Sequence, residues 1–368
     1  MIEKKIYEVG GCVRDKLLGV QSSDVDYVAV GYREDDFSHL VKVGKDFPVF
    51  LDENGCEIAL ARVERKVSSG YNGFEANTIN ITLEDDLLRR DLTINSIAYD
   101  KQNDTYIDPY GGMQDIKNKI LRHTSKAFIE DPLRVLRLAR FQAKFPQFTI
   151  ALETKEFVKN MRYELSALQP DRVYKEIKKV MQLQHSDIFF ITLLELDVLD
   201  LLFPDLYNQD QKHFNANMMI LRDLSDQSEL LKLTALYCGT KTSLTDIQLP
   251  TKLKKKMVLL LKNHSIIFHL ANMTLEAIAI FFESYKKDKE LFIAQIILVK
   301  ADKTKSIDYF DEELLLNIFD KISKYSPKKW IDLQEKVPSG ESIKDHIHST
   351  NLSYIKSIPL IISNKTIC

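Results

Sequence analysis

The sequence predicts an α+β protein in which a small, glycine-rich sheet domain precedes a long helical remainder. Ten of the twelve glycines lie in the first 120 of 368 residues, among short runs rich in β-branched and aromatic residues. Beyond Phe128, apolar residues recur at the three- and four-residue spacing of amphipathic helices. A chain of this length exceeds what one core usually supports, so we expect several domains.

The elements follow in order from these patterns. The predicted strands are KIYEV (5–9), DVDYVAV (24–30), FPVFLD (47–52), CEIALAR (56–62) and TINIT (78–82), with a helix over VRDKLLG (13–19). The predicted helices that follow are DPLRVLRLARFQAKF (131–145), ALETKEFVKNM (151–161), DRVYKEIKKVMQ (171–182) and DIFFITLLELDVLDLLF (187–203). Further Leu- and Lys-rich amphipathic segments complete the chain, and Pro250 and Pro327 mark helix boundaries among them.

Composition narrows the function classes. No run of about 18 uncharged apolar residues is present, so we expect no membrane span, and the N-terminus lacks the pattern of a signal peptide. The four cysteines are widely spaced, which favours a reducing cytoplasm over a disulfide framework or a cysteine zinc site. The net charge of −2 neither indicates nor excludes nucleic-acid binding, because the placement of Lys and Arg decides it.

Two carboxylates stand two residues apart in the strand DVDYVAV. Side chains alternate along a strand, so Asp24 and Asp26 are expected on one face and Val25 and Tyr27 on the other. Carboxylates this close repel each other unless a cation lies between them, and Mg²⁺ prefers such oxygen ligands. D-x-D alone is more often a solvated edge strand, but its neighbours favour a metal site.

The neighbouring features are a glycine turn and further acids. Gly10 and Gly11 follow the strand KIYEV and permit the backbone to approach a phosphate, with Arg14 one turn into the next helix. A third acid is expected from the strand CEIALAR, where Glu57 shares a face with small alanines. Glu64 is a competing candidate.

Two arginine-rich segments complete the candidate site. RRDLTIN (89–95) contains Arg89, Arg90, Asp91 and Asn95, which are either a salt-bridged cap or a site for triphosphate and ribose hydroxyls.

The second segment is EDPLRVLRLAR (130–140), where Asp131 before Pro132 is a sound helix start. Capping does not explain the ridge of Arg134, Arg137 and Arg140 along one helix flank. A carboxylate at Asp131 and the guanidinium of Arg134 together match the amine donor and ring-nitrogen acceptor that cytosine and adenine share.

The first 205 or so residues closely resemble the class II tRNA nucleotidyltransferases, bacterial CCA-adding enzymes of the polymerase-β superfamily. The resemblance rests on seven ordered segments: GGCVRDKLLG, DVDYVAVG, GKDFPVFL, SGYNGF, LEDDLLRRDLTINSIA, IDPYGG and EDPLRVLRLARF. It implies a polymerase-β-like head over residues 1–125, a helical neck over 126–205 and a helical body and tail over 206–368. It also implies Mg²⁺-dependent addition or repair of the 3′-terminal CCA of tRNA from CTP and ATP, without a nucleic-acid template and with release of pyrophosphate, in the cytoplasm.

The resemblance also implies a role for each candidate residue. Asp24 and Asp26 correspond to metal ligands, and Gly11 and Arg14 to triphosphate contacts. Asp91 and Asn95 correspond to the ribose-reading motif, and Arg90 to a nucleotide contact. Asp131 and Arg134 correspond to the protein template for C and A. Arg137 and Arg140 correspond to further nucleotide contacts. In this family, chains that add only CC typically lack a specificity loop. The corresponding stretch here, KVSSGYNGFEANTINIT (66–82), is present and favours CCA or A addition.

The C-terminal half departs from many relatives, which carry a phosphohydrolase domain marked by a His-Asp dyad. Here the corresponding stretch reads LTALYCGTKTS (233–243), and His346 and His348 have no acidic cluster nearby in sequence, so we predict no phosphohydrolase activity. Lysine-rich segments with Tyr285, Tyr325 and Trp330 nearby are expected either as solvated helix faces or as the lining of a groove for a tRNA acceptor arm.

Alternative functions remain at this stage. A poly(A) polymerase shares the same head but usually carries a basic C-terminal extension that this chain lacks. An A-adding enzyme and a noncatalytic RNA-binding relative are the others, and the intact acids and arginines argue against the last. No obligate protein partner is expected.

Overall fold

The computed structural model describes residues 2–21, 24–43, 48–66, 74–240, 242, 244, 247–304 and 311–358. The chain divides into two compact units, unit 1 (Met1–Pro204) and unit 2 (Asp205–Cys368). Unit 1 contains the sheet and unit 2 is helical, so the predicted fold class is confirmed. Of the specificity loop expected over residues 66–82, residues 67–73 lie outside the described residues.

Within the described residues, unit 1 contains a seven-stranded mixed sheet and two two-stranded sheets. Its strands are β1 (Lys5–Val9), β2 (Asp26–Val30), β3 (Val41–Val43), β4 (Val49–Leu51), β5 (Glu57–Leu60), β6 (Val63–Lys66), β7 (Phe74–Asn77), β8 (Ala98–Asp100), β9 (Thr105–Ile107), β10 (Ile120–Leu121) and β11 (Thr149–Ile150). The large sheet has the order β3-β4-β5-β2-β1-β8-β9. Strands β2 and β5 are parallel, and the other pairs in this sheet are antiparallel.

Most helices of unit 1 follow predicted segments, but those over Leu83–Leu88 and Gly112–Asn118 were not predicted, and the predicted segment 187–203 divides into two helices. The helices of unit 1 are α1 (Gly11–Leu17), α2 (Leu83–Leu88), α3 (Gly112–Asn118), α4 (Leu133–Lys144), α5 (Leu152–Asn160), α6 (Pro170–Val180), α7 (Ser186–Glu195) and α8 (Leu199–Leu202), and α9 (Pro204–Tyr207) lies at the boundary between the units. Short 3-10 helices occupy Glu34–Phe37, Thr93–Asn95, Lys126–Glu130 and Arg162–Ala167.

The strand expected over TINIT (78–82) was wrong. The Asn77 side chain accepts a hydrogen bond from the backbone N–H of Ile79 at 2.9 Å, and Asn80 has a left-handed φ of 56°. The Thr82 hydroxyl accepts the N–H of Asp85 at 3.1 Å and so caps α2. These side chains satisfy backbone groups locally, which favours a turn and a helix start over a strand.

Strand β2 supplies the core on both faces of the sheet. Val28 and Val30 point into a cluster with Val9, Leu87 and others, whereas Ala29 points into a cluster with Phe37, Phe50, Ile58 and Leu60. Because successive side chains of a strand point to opposite faces, one buried strand feeds two cores. This double burial fixes the register of β2 and therefore the position of its first residue, Asp26.

Unit 2 is built from helices whose starts are marked by capping side chains. Its helices are α10 (Gln211–Asp223), α11 (Glu229–Ala235), α12 (Thr251–Asn263), α13 (Leu275–Ser284), α14 (Lys289–Ala301), α15 (Glu312–Lys324), α16 (Lys328–Asp332) and α17 (Gly340–Lys356), with a 3-10 helix over Ile267–Asn272. The N-cap side chain accepts a backbone N–H at Asp210, Thr274, Asp288, Asp311 and Ser339. Pro250 and Pro327 directly precede α12 and α16, as predicted. No helix among the described residues has the length and apolarity needed to cross a bilayer.

Aromatic rings form much of the unit 2 core. Phe292 stacks on Phe319 with ring centroids 4.5 Å apart, and Phe281 and Tyr285 meet Phe292 edge to face. Tyr285 is 1% exposed and donates its hydroxyl to Gln295 Oε1 at 3.0 Å. The expectation that Tyr285 lines an RNA groove was therefore wrong, because its ring is committed to the core.

A histidine joins two helices of unit 2 through carboxylates. His348 on α17 contacts Glu283 at 2.8 Å through Nδ1 and Glu276 at 2.6 Å through Nε2, and both glutamates lie on α13. Asn351 donates to the second oxygen of Glu283 at 2.8 Å. These acidic partners lie 65 and 72 residues upstream, so the sequence around His348 does not indicate them.

These contacts predict a pH-dependent stability. The carboxylates of Glu283 and Glu276, which accept hydrogen bonds from the imidazole, raise the pKa of His348 above its usual 6.5. A raised folded-state pKa gives stability that is present below about pH 6.5 and is lost as the pH rises through the folded pKa. We expect His348→Asn to remove up to about 1 kcal/mol at pH 6 and little at pH 9, measured by urea unfolding.

The matched control is His269→Asn, which changes an exposed histidine of the same unit. That variant should keep the pH dependence of the parent protein. An unchanged pH dependence in His348→Asn would contradict the assignment.

Candidate active site

Two carboxylates lie side by side where strands β2 and β5 of the large sheet begin. Asp26 on β2 is the register partner of Glu57 on the parallel strand β5, so their side chains leave the same face side by side. Strand β2 begins at Asp26 and not at Asp24 as predicted, because its antiparallel partner β1 ends at Val9 and the chain turns away at Gly10. Asp24 is exposed in the connection before the strand.

These acids open onto a cleft of about 700 Å³ in unit 1. Five acids and ten cations line it. The acids are Asp26, Glu57, Asp91, Asp131 and Glu176, and the cations are Arg14, Arg62, Arg89, Arg90, Arg134, Arg137, Arg140, Lys144, Arg172 and Lys179. Burial, with the neighbouring Arg14 as a smaller cause, lowers the pKa of Lys144. An anion with several negative charges is the complement of this cleft.

Gly10 lets an arginine lie directly over the turn between β1 and α1. Its φ of 75° and ψ of −128° form a conformation that residues with a Cβ rarely adopt. A Cβ built at Gly10 would lie 2.8 Å from Nη1 of Arg90. The glycine therefore serves both the backbone turn and the close approach of the guanidinium.

Arg90 is held from behind by a buried acid. Asp86 is fully buried and accepts Nη2 of Arg89 at 2.7 Å on one oxygen and Nη2 of Arg90 at 3.0 Å on the other. Burial acts to raise the pKa of Asp86, but the two guanidinium groups outweigh it and lower the pKa. The spacing of an acid three and four residues before two arginines is visible in LEDDLLRR and was a signal that the sequence analysis did not use.

Asp91 connects the sheet part of unit 1 to helix α4. One oxygen accepts the N–H of Leu92 at 2.8 Å and Nδ2 of Asn95 at 2.9 Å, and the other accepts Nε and Nη2 of Arg137, each at 2.7 Å. Burial acts to raise the pKa of Asp91, but Arg137 and Asn95 outweigh it and hold the pKa far below its usual value. Asp91 is therefore ionised and fixed in place.

Arg14 supports this arrangement from the other side. It is 4% exposed, donates Nε to Asp15 at 2.9 Å and hydrogen bonds to Oδ1 of Asn95 through Nη1. Its guanidinium also lies over the rings of Phe141 and Phe145, 5.2 and 5.3 Å from their centroids. Arg14 borders the cleft and holds the side chain of Asn95.

Helix α4 carries the arginine ridge, and each arginine has a protein acceptor. Arg134 donates Nη1 to the carbonyl of Ala127 at 2.7 Å, Arg137 binds Asp91, and Arg140 donates Nε to Glu176 at 2.7 Å. The ridge is therefore preorganised along the wall of the cleft.

Asp131, expected beside Arg134, is held instead by an arginine of α6. Arg172 donates Nη1 to Oδ1 at 3.2 Å and Nη2 to Oδ2 at 3.0 Å. Asp131 also accepts the N–H of Leu133 at 3.2 Å. The N-cap predicted at Asp131 was wrong by one residue, because α4 begins at Leu133 and its N-cap is Pro132. DRVYK contains no pattern that indicates this pairing, because the partners are 41 residues apart.

The structure brings together eleven of the twelve predicted site residues at this cleft, and Asp24 is the residue outside its lining. The charged lining residues that were not predicted from the sequence are Arg62, Lys144, Arg172, Glu176 and Lys179. The side chain of Glu64, the competing third acid, lies outside the described residues. Among the residues described, no three His, Cys, Asp or Glu side chains form a ready-made metal-binding group.

Two known protein families match most of unit 1. Residues 6–122 match the family described as "Poly A polymerase head domain". Residues 147–209 match the family described as "Probable RNA and SrmB-binding site of polymerase A".

Curated relatives match more than half of the chain. A "Multifunctional CCA protein" of Acinetobacter baumannii (strain SDF) is 51% identical over 210 residues, which cover 55% of this chain and 51% of that protein. A "CCA-adding enzyme" of Actinobacillus succinogenes is 48% identical over 226 residues, covering 59% and 56%. The chain thus spans about half the length of the curated relatives it matches.

Solved structures share the fold over nearly the whole chain. A CCA-adding enzyme in its apo form I has a TM-score of 0.70 at 20% identity and covers 99% of this chain and 90% of its own. A Thermotoga maritima CCA-adding enzyme complexed with tRNA(CCA) has a TM-score of 0.67 at 20% identity, covering 99% and 91%.

The buried pair of Asp91 and Arg137 predicts a stability effect. Arg137→Ala leaves the carboxylate of Asp91, which is 5% exposed, without its cation. We expect the free energy of unfolding of unit 1 to fall by about 2–3 kcal/mol. This loss is smaller than that for breaking a fully buried ion pair, because the side chain of Arg137 is one third exposed. The measurement is urea unfolding at pH 7.

Lys42→Ala is the matched control, since its ion pair with Glu34 is half exposed on both sides. It should lose less than about 1 kcal/mol. Equal losses in the two variants would contradict a special role for Asp91.

The contact between Gly10 and Arg90 predicts a second effect. Gly10→Ala introduces both an unfavourable backbone conformation and a collision with Nη1 of Arg90. Gly19→Ala, at the other end of α1, introduces only the first, because its φ is 70° and no atom lies within 4 Å. We expect Gly19→Ala to lose about 1 kcal/mol and Gly10→Ala to lose clearly more, by urea unfolding. Equal losses would show that Arg90 moves aside without cost.

Proposed function

We propose that the first 209 residues of this chain belong to the class II tRNA nucleotidyltransferase family. We propose further that the chain adds or repairs the 3′-terminal CCA of tRNA from CTP and ATP. The observation that carries this proposal is the cleft of unit 1, where an acidic sheet edge faces a wall of arginines. The chemistry that needs both features is transfer of a nucleotide from a triphosphate to a hydroxyl.

Charge supports a triphosphate as the ligand. Among the described residues, the cleft has ten cationic and five acidic side chains, and most of the cations are arginines. Arginine donates in a planar fork that matches phosphate oxygens, and a carboxylate behind it, as Asp86 stands behind Arg90, holds that fork in place. We propose Arg90 and the turn at Gly10 and Gly11 as the triphosphate site, with Arg14 acting through Asn95.

The acids suit a hard divalent cation. Asp26 and Glu57 lie side by side in register, Asp24 lies two residues ahead, and all three offer only carboxylate oxygens, the donors that Mg²⁺ prefers. We propose that Asp24 and Asp26 hold Mg²⁺ and that Glu57 assists them. Mg²⁺ bound there supplies charge neutralisation at the α-phosphate and at the leaving pyrophosphate. The carboxylates themselves fix the position of the site, because their strands are anchored in two cores.

The reaction that these residues would support is an in-line displacement. The 3′-hydroxyl oxygen of the RNA forms a bond to the α-phosphorus, and the bond from that phosphorus to its bridging oxygen breaks. Pyrophosphate leaves with the electron pair, and the hydroxyl proton is released. Little covalent chemistry is required of the protein, so positioning and electrostatic stabilisation account for the catalysis.

Nucleotide selection is proposed for the opposite wall. Asp91 and Asn95 form a fixed polar pair suited to ribose hydroxyls, and Arg137 and Arg140 extend the cationic wall. Asp131 and Arg134 would contact the edge of the base, where cytosine and adenine both present an amine and a ring-nitrogen acceptor. Guanine and uracil present a carbonyl oxygen in place of the amine and are therefore disfavoured.

The remaining helices are proposed to hold tRNA. We divide the chain into a head (1–125), a neck (126–205) and a body and tail (206–368), with the last lacking the His-Asp motif of a phosphohydrolase. Some of its lysines form ion pairs within the protein, such as Lys256 with Asp288 and Lys289 with Asp320. RNA helices are recognised mainly through their backbone and shape, so we propose that these are the features of the acceptor arm that are bound. The described cysteines, Cys12, Cys56 and Cys238, carry free thiols, as expected of a cytoplasmic protein.

A poly(A) polymerase is the second candidate, since the matching head family carries that description. Its product would be an open-ended A tail on many RNAs. An A-adding enzyme would act only on tRNA that already ends in CC.

One assay separates these activities. Purified protein is supplied with tRNA lacking its CCA end, Mg²⁺ and labelled CTP, ATP or both. We expect growth by C, C and A that then stops, and a loss of at least about 100-fold in Asp24→Ala and in Asp26→Ala. Asp35→Ala, an exposed acid of the same unit, is the control and should keep the activity.

Other outcomes redirect the assignment. A alone on tRNA ending in CC indicates an A-adding enzyme, and open-ended A tailing indicates a poly(A) polymerase. Absence of any incorporation indicates a binding protein and overturns the proposal.

A further inference from the structure

We propose that Lys144 is a modification site at which acyl phosphates, drawn into the cationic cleft of unit 1, transfer their acyl group to the side-chain amine. The inference goes beyond the proposed function, because it concerns a covalent change of the protein and requires neither a nucleotide nor RNA. It rests on the position of Lys144, on the groups that surround its amine and on the charge of the cleft.

Lys144 is the last residue of helix α4 and lies on the lining of the cleft. Its side chain is 34% exposed, so a small anion in the cleft can reach the amine. The nitrogen also lies 5.2 Å from the ring centroid of Phe145. Part of the surroundings of the amine is therefore an aromatic ring instead of water.

The carboxylate beside Lys144 is shared with an arginine. Oδ1 of Asp15 accepts Nε and Nη2 of Arg14 at 2.9 and 2.8 Å, whereas Nζ of Lys144 lies 3.4 Å from Oδ2. Arg140, one turn earlier on α4, adds a further positive charge. The two arginines disfavour the protonated form of the amine, and the carboxylate favours it.

The balance of these surroundings favours the neutral amine. Burial, with Arg14 as a smaller cause, lowers the pKa of Lys144, and the opposing effect of Asp15 does not compensate. At a given pH, a larger fraction of Lys144 is therefore unprotonated than of an ordinary lysine. The unprotonated amine is the nucleophile, and desolvation together with a neighbouring cation is a known way to activate a lysine.

The cleft selects the reagent by charge. Among the described residues, ten cationic and five acidic side chains line it, so it concentrates small anions. Arg14 connects Lys144 to the glycine turn, because a Cβ built at Gly11 would lie 3.5 Å from Nη2 of Arg14. A reagent suited to both features carries a phosphate for the cleft and a carbonyl carbon for the amine. An acyl phosphate combines the two.

The transfer step balances without a further co-reactant. The amine of Lys144 loses a proton to solvent, and its nitrogen forms a bond to the carbonyl carbon of the acyl phosphate. The bond from that carbon to the bridging oxygen breaks, and inorganic phosphate leaves with the electron pair. The product is a neutral amide at Lys144, so the cleft has one positive charge fewer.

The test incubates the full chain with acetyl phosphate at about pH 8 and follows acetylation of each lysine by mass spectrometry of its peptides. Two lysines of helix α6 serve as internal comparisons. Lys179 lines the same cleft but is 55% exposed and donates to Glu176 at 2.9 Å, and Lys175 is exposed outside the cleft lining. We expect Lys144 to react at least about tenfold faster than either, because the cleft concentrates the anion.

Two controls separate the effect of the cleft from that of the amine. An excess of inorganic triphosphate should occupy the cleft and remove the preference for Lys144. The neutral ester p-nitrophenyl acetate gains nothing from positive charge, so its preference for Lys144 should be clearly smaller. In Lys144→Arg the fast phase of acetylation should disappear, while Lys175 and Lys179 react as in the parent protein.

The opposite results overturn the proposal. Equal rates at the three lysines would show that Lys144 is not a special site. An equal preference with acetyl phosphate and with the neutral ester, or no protection by triphosphate, would show that the cleft does not direct the reagent. Failure of the proposed function is seen separately, because a lack of CCA addition by the unmodified protein leaves the acetylation pattern unchanged.

Discussion

The cleft of unit 1 depends on the ion pair between Asp91 and Arg137. Asp91 belongs to the segment that follows the arginine pair of the head, and Arg137 belongs to helix α4. Taking a carboxylate out of water costs several kcal/mol, so the buried Asp91 is stable as an anion only when Arg137 and Asn95 are in place. The pair therefore sets the distance between the acidic edge of the sheet and the arginine ridge. Neither wall of the cleft can shift without breaking it.

The arrangement of acids behind arginines explains how so many cations can share one cleft. Asp86 pairs with Arg89 and Arg90, Glu176 pairs with Arg140 and Lys179, and Asp131 pairs with Arg172. Each pairing also limits the rotamers of the arginine, so less conformational entropy is lost when a phosphate or a base binds. The site is therefore preorganised before any ligand arrives.

The sequence predicts most of the fold and of the candidate site, and the failures have a common cause. Strands β1, β2, β4 and β5 and helices α4 to α7 follow from apolar periodicity, which is a local property. Partners far apart in sequence do not follow from it: Arg172 with Asp131, and His348 with Glu276 and Glu283, are decided by tertiary packing. The strand predicted over TINIT was wrong for the opposite reason. Local hydrogen bonds accepted by the side chains of Asn77 and Thr82 outweigh the strand propensity of this segment.

The parallel pairing of β2 with β5 affects when the site forms during folding. Asp26 and Glu57 are register partners, yet 31 residues separate them, and a parallel pair requires the chain to cross over before the strands can meet. Such contacts form slowly, because closure of the loop loses entropy before the pairing stabilises it. A chain still in synthesis, with only its first strands folded, has no acidic edge. The divalent-cation site that we propose there is therefore incomplete until these two strands have paired.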